Sequence, residues 1–249
     1  MLAGVGGGIC GYLTGLASLV TYPALIAAGL SPVTANVSNT LGVLFIGIGS
    51  TISARGRLRE LGLRRLGRDV AVALVGGGIG GGLLLLGGGI GGGLLLLGGD
   101  SGFEAVVPWL VLAASLMLAA QPRLTRVRGD VDMPRPYLFG LALTCLYGGY
   151  FGAGAGVLFL VVSLLTSTVG FERAMMLKST LLAASNLAAS LVFIAAAPVD
   201  WWAALAMGIG CLIGGRLGPR LQGLVPQKVL RAVITLAGIG LAIWLWSKS

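Results

Sequence analysis

Residues 137–169 read YLFGLALTCLYGGYFGAGAGVLFLVVSLLTSTV, an apolar stretch without a single Asp, Glu, Lys or Arg and with a glycine cluster, GGYFGAGAG, at 148–156. Its flanks decide how it sits. The preceding stretch, QPRLTRVRGDVDMPRP at 121–136, carries four arginines and three prolines, and Arg173 follows closely. Cationic residues gather in the cytoplasmic loops of membrane proteins. Both flanks are therefore expected on the same face. A simple crossing cannot enter and leave by one face, whereas a hairpin interrupted at its glycines can. Non-helical backbone at membrane depth is tolerated where protein buries it or a wet cavity lines it.

Working outward, other apolar runs cover residues 2–30, 33–54, 69–97, 103–120, 174–197, 201–217 and 229–246. A span needs about 20 mainly apolar residues, because roughly 30 Å of hydrocarbon is crossed at 1.5 Å per residue. Of the 249 residues 56% are hydrophobic and 10% charged, against about a quarter charged in a soluble domain. Too little charge remains to coat a water-facing surface, and the chain reads as an integral, multi-pass protein of the cell membrane, with the lipid bilayer as its surroundings. The first run lacks a basic leader and flows into further apolar sequence, so it is not read as a cleaved signal.

The net charge of +9 sits at the ends of apolar runs and in the loops between them, which argues against nucleic acid as a partner. The loop at 55–68 holds six arginines, whereas residues 98–104 hold two acids and no base. Past the 121–136 linker the bias reverses: the connector at 198–200 has no base, while Arg216, Arg220, Lys228 and Arg231 surround the next. The expected fold class is all-α, with two inverted repeats, each a re-entrant broken hairpin plus three transmembrane helices. The expected boundaries are 1–120 for the first repeat, 121–136 for a cytoplasmic linker and 137–249 for the second. Eight full crossings in two parallel halves is the alternative. In the first half the interruption is expected at GYLTGLAS, residues 11–18. The halves also correspond weakly in sequence, with Gly11-Tyr12 opposite Gly149-Tyr150 and, one residue out of step, Asn39 opposite Lys178 and Thr40 opposite Ser179.

Catalysis has no support among these residues. Histidine is absent, and no Ser-His-Asp set or phosphate loop can be assembled. Cys10, Cys145 and Cys211 lie far apart in apolar sequence and read as buried hydrophobes, so no metal site and no cofactor is expected. An interrupted helix, by contrast, exposes polarised N–H groups that suit an anion. Transporters of inverted build place their solute near the midplane, where broken helices meet.

Candidate substrate-binding residues follow from that geometry. Gly152, Gly154 and Gly156 permit close backbone approach, and Thr14 and Ser18 add hydroxyls. Asn36, Asn39 and Thr40 share one helical face, as do Ser179, Asn186 and Ser190. These faces read either as the lining of a polar path or as interhelical hydrogen bonding without solute. Lys178 lies about one turn into an apolar helix, where a cation costs about 2.5–3.5 kcal/mol. No acid is expected deep in a span, so a small anionic solute is one partner for it. The other reading is that its stem snorkels to the headgroups beside Arg173. Oligomerisation is left open.

The glycines read mostly as close-packing residues. GGGIGGGLLLL occurs twice in tandem, at 76–86 and 87–97. Eleven residues are nearly three helical turns, so the repeat keeps its stripe on one face of a long, tilted or kinked helix.

The stretches GLASLVTYPALIAAGLSPVTANVSNT, GGYFGAGAG, LKSTLLAASNLAASLVF and VDWWAALAMGIGCLIGGRLGPRL resemble the sulfite exporter TauE/SafE family, the toluene sulfonate uptake permeases, over nearly the whole chain. The first hairpin departs from the family pattern, its glycine cluster being reduced to GLAS. The resemblance implies transport of sulfite, sulfonates or related organic anions. A non-transporting membrane scaffold subunit is the alternative.

Overall fold

A computed structural model describes residues 1–59, 63–89, 100–124, 132–221 and 226–246. Within them the chain forms ten helices: α1 (Leu2–Thr14), α2 (Ser18–Ala27), α3 (Pro32–Arg59), α4 (Leu63–Gly89), α5 (Asp100–Leu124), α6 (Pro134–Tyr150), α7 (Ala155–Thr166), α8 (Phe171–Ala196), α9 (Trp201–Leu221) and α10 (Gln227–Trp246). By length and apolar composition α3, α4, α8 and α9 can each cross a bilayer. The apolar stretches Val107–Met117 of α5 and Ala232–Trp244 of α10 accompany them.

The long glycine-interrupted stretch folds back on itself. Gly140 of α6 faces Val162 of α7, and Gly148 faces Ala155. At the open end the Met133 N–H donates to the Thr166 carbonyl at 2.9 Å. The first apolar run does the same: Gly7 of α1 lies against Thr21 of α2, and Gly11 against Ala17. Continuous rods would hold residues 7 and 21 about 21 Å apart at 1.5 Å per residue. Each run is therefore a re-entrant hairpin, and the expected break points are the observed ones, at residues 15–17 and 151–154.

Neighbouring helices fix the direction of each hairpin. Gly4 and Gly8 of α1 meet Gly210 and Gly214 of α9 in the same order, so these two helices are parallel. Gly76 and Gly80 of α4 meet Ala142 and Leu146 of α6, while Gly77 and Gly81 meet Ser185 and Ala189 of α8, so α4, α6 and α8 are parallel to one another. Helices α8 and α9 run in opposite directions, since α3 is antiparallel to α8, through Gly47–Ala183 and Thr51–Thr180, yet parallel to α9. The two hairpins thus enter from opposite ends of the molecule. The packing of α1–α5 is reproduced by α6–α10: α1 on α9 answers α6 on α4, α3 on α9 answers α8 on α4, and α5 lies along α10.

The first copy of GGGIGGGLLLL lies in α4, with Gly76 and Gly80 packed on α6 and Gly77 and Gly81 on α8. This agrees with the close-packing reading. Residues 90–97 of the second copy, like residues 125–131 of the linker, lie outside the described residues. The three cysteines are buried and free, as expected.

Asp69, near the start of the span in α4, is a buried carboxylate, 1% exposed. It pairs with the Arg68 guanidinium at 3.1 Å and accepts the Tyr137 hydroxyl at 3.1 Å. A buried charge needs such compensation, and here the partners come from its own helix and from the foot of α6.

Candidate functional site

The hairpin tips meet. Gly15, at φ 82°, ends α1 in the left-handed conformation that glycine adopts without a Cβ penalty, and a methyl group there would sit 2.8 Å from the Gly156 Cα. Gly152 and Gly154, at φ 78° and 87°, turn the chain between α6 and α7. Across the junction Tyr22 of α2 stacks edge-on against Phe151, with centroids 5.8 Å apart. Leu16, in the first break, packs on Gly154.

Beside this contact lies a cavity of ≈ 60 Å³. Ser18, Gly152, Lys178, Ser179 and Asn186, all expected at the site, line it. Sequence reasoning missed its remaining wall, including Gly11, Gly15, Ala17 and Gly47. For Gly11, Gly15 and Ala17 the interrupted segment itself was a signal. Gly47 had none, because only the crossing of α3 and α8 brings it here.

Lys178 is 1% exposed, and its amino group does not reach the headgroups, so the snorkelling reading does not describe it. Its Nζ donates to the carbonyls of Gly11, at 3.2 Å, and Tyr12, at 2.5 Å, and lies 3.6 Å from the Met175 sulfur. The Tyr12 ring centroid is 5.7 Å away. These carbonyls belong to the last turn of α1, where the helix dipole is negative. The opposite hairpin is held in a corresponding way: Asn36 Nδ2 of α3 donates to the Tyr150 carbonyl, at the end of α6, at 3.1 Å. Each half-helix end is thus capped from the first long helix of the other half, by an ammonium on one side and an amide on the other.

The other expected residues are buried but do not line the cavity. The Thr14 hydroxyl donates to the Cys10 carbonyl at 2.7 Å, and that of Thr40 to the Asn36 carbonyl at 2.9 Å. Asn39 Nδ2 donates to Ser18 Oγ at 3.1 Å, and its Oδ1 accepts from Thr21 at 2.5 Å, which orients Ser18 at the cavity wall. Gly154 and Gly156 form the junction with Leu16 and Gly15. The Asn36 Oδ1 and the Ser190 hydroxyl are buried without a hydrogen-bond partner among the described residues. The N-terminus of α2 has no side-chain cap, and Ala17 and Ser18, at its start, face the cavity.

Two broken hairpins, inserted from opposite ends and meeting beside a cavity that Lys178, Ser18, Ser179 and Asn186 help to line, define a polytopic helical membrane protein of inverted-repeat build. Residues 1–245 match the family described as sulfite exporter TauE/SafE, and the chain belongs to that family of membrane transporters. It is similar to the probable membrane transporter protein ORF9 of a Sinorhizobium species, 28% identical over 244 residues that cover 94% of this chain and 87% of the relative. It is also similar to the probable membrane transporter protein YfcA of Escherichia coli, 28% identical over 232 residues, with 90% and 80% covered. A probable membrane transporter protein of Haemophilus influenzae is 26% identical over 233 residues, with 90% and 84% covered. No solved structure matches the chain.

Proposed function

We propose that this protein moves a small anion, sulfite or a sulfonate or related organic acid, across the cell membrane by way of the cavity between the hairpin tips. The observation that carries the reading is the setting of Lys178. An ammonium has three N–H donors, and here two of them go to the Gly11 and Tyr12 carbonyls while the third has only a thioether sulfur at 3.6 Å. A weak acceptor leaves that donor available to an oxyanion in the cavity. Ser18, Ser179 and Asn186 supply further hydrogen-bonding groups, and the start of α2, whose Leu19 and Val20 N–H groups are bonded to the Leu16 and Ala17 carbonyls, presents the positive end of its dipole. The volume, ≈ 60 Å³, suits a solute of a few heavy atoms.

An anion bound here competes with the α1 carbonyls for the ammonium. Binding therefore weakens the tie between α8 and the first hairpin, the element whose movement opens the site to its own side. The repeats, residues 1–120 and 137–249, then act as two gates on one cavity. Export of a monovalent anion is favoured by an inside-negative potential, by about 2.3 kcal/mol per charge per 100 mV, so a coupling ion is not required.

The test is efflux of labelled sulfite, and in parallel of small sulfonates, from proteoliposomes under an imposed potential. Wild type is expected to carry at least one of them, Lys178→Gln to lose at least tenfold in rate, and Ser179→Ala to lose severalfold. Absence of flux for the whole panel would reject the anion and favour a scaffold subunit, while equal rates in wild type and Lys178→Gln would remove the lysine from the path.

A further inference from the structure

A second, larger cavity, ≈ 480 Å³, opens at the foot of the α6–α7 hairpin, where α4 begins. Its size falls in the range of small-molecule sites, about 300–1,000 Å³. Arg64, Arg65 and Arg68, on the first turns of α4, face Asp132, Tyr137 and Thr166 at the two ends of the hairpin.

The charges around it do not cancel. Arg68 is paired with Asp69 at 3.1 Å. Arg65 lies 3.9 Å from Asp132, with its guanidinium 5.7 Å from the Tyr137 ring centroid. Asp132 also accepts from the backbone N–H and the hydroxyl of Thr168. Arg64 makes no ion pair with another described residue. Among the described residues lining it or paired to its wall, three guanidiniums face two carboxylates, which leaves one positive charge.

We propose that this cavity binds a phosphate group, and specifically the headgroup of an anionic phospholipid. Guanidinium forks match the oxygens of an oxyanion such as phosphate in bidentate geometry, which a monatomic chloride cannot offer. The apolar span of α4 begins at Arg64, which places the three guanidiniums at the level of the headgroups. Exposed Met133 at the rim offers an apolar shelf for the glycerol and upper acyl chain. Basic pockets between helices at this depth hold anionic headgroups in other membrane proteins. Because its walls come from α4 and from both ends of one hairpin, the bound phosphate ties that hairpin to the long helix beside it. The site is separate from the central cavity and does not depend on the transported solute.

The experiment uses the full chain purified in detergent. Melting temperature is followed against phosphatidylglycerol, phosphatidylcholine, glycerol phosphate and inorganic phosphate, and native mass spectrometry counts retained lipid. Phosphatidylglycerol is expected to raise the melting temperature and to leave one lipid bound, with phosphatidylcholine much weaker. Arg64→Gln/Arg65→Gln should weaken the apparent affinity at least tenfold. Arg64→Gln alone, at an exposed position, should melt like wild type without lipid and already show part of the loss. An arginine-dependent shift with the soluble phosphates equal to that with lipid would keep the phosphate site and assign it to a solute. No shift with any probe, equal shifts with both lipids, or shifts unchanged in the double variant would overturn it.

Discussion

Single residues set the two features on which the site rests. Gly15 is in the left-handed region, and its backbone touches that of Gly156. Gly15→Ala therefore incurs about 1–2 kcal/mol for the backbone conformation in addition to a clash with main chain that has no side chain to give way. The expected result is a fall in melting temperature of about 5 °C or more, together with loss of anion flux. Gly29, also at positive φ but with open space where a methyl group would sit, should show the conformational cost alone. At the hairpin foot the Asp132 carboxyl is held below its ordinary value of 3.8, first by the Thr168 N–H and then by the Thr168 hydroxyl and Arg65. A depressed folded-state pKa means that the clasp is complete above the ordinary value and is lost as pH falls through the lower one. Amide exchange at Thr168, corrected for the intrinsic rate, should be flat from neutral pH down to about 4 and rise below it.

Glycines act together at the scale of whole helices. In α4, Gly76 and Gly80 admit α6 while Gly77 and Gly81 admit α8; in α9, Gly210 and Gly214 admit α1 while Gly208 and Gly215 admit α3. Lipid tails are as apolar as leucine, so association of these helices depends on close van der Waals approach rather than on escape from water. A side chain on either stripe forces the helices apart. Gly81→Val and Gly214→Val are each expected to destabilise the purified protein by several kcal/mol, because both would press on neighbouring backbone. Gly82→Ala, where an added methyl meets nothing, should be neutral or stabilising by up to about 1 kcal/mol. Thermal melts of the three variants in one detergent separate the cases.

For the whole molecule the consequence is topological. If the hairpins enter from opposite ends, both feet of one lie on one side of the bilayer and both feet of the other on the opposite side. Single cysteines placed at Met133 and Thr168, in a background lacking Cys10, Cys145 and Cys211, should react with an impermeant thiol reagent from the same side. Cysteines at Met1 and Ala28 should react only from the other. Labelling of positions 133 and 168 from opposite sides would show a crossing segment and end the inverted arrangement.

Much of this architecture was legible without coordinates, because in lipid the backbone must satisfy itself and the sequence then carries a strong signal. Length and hydropathy located the spans, the arginine bias gave the reversal between halves, and the clusters at 11–18 and 148–156 marked the breaks. A helical membrane protein with two interrupted hairpins follows from these local signals alone. What Lys178 and Asp69 face depends instead on packing between distant segments. A buried charge takes whichever partner packing presents: Lys178 meets the Tyr12 carbonyl, 166 residues away, and Asp69 adds to its neighbour Arg68 the Tyr137 hydroxyl, 68 residues away. The same holds for the cavity, whose wall includes Gly47 because α3 and α8 cross there, a contact that no local pattern encodes.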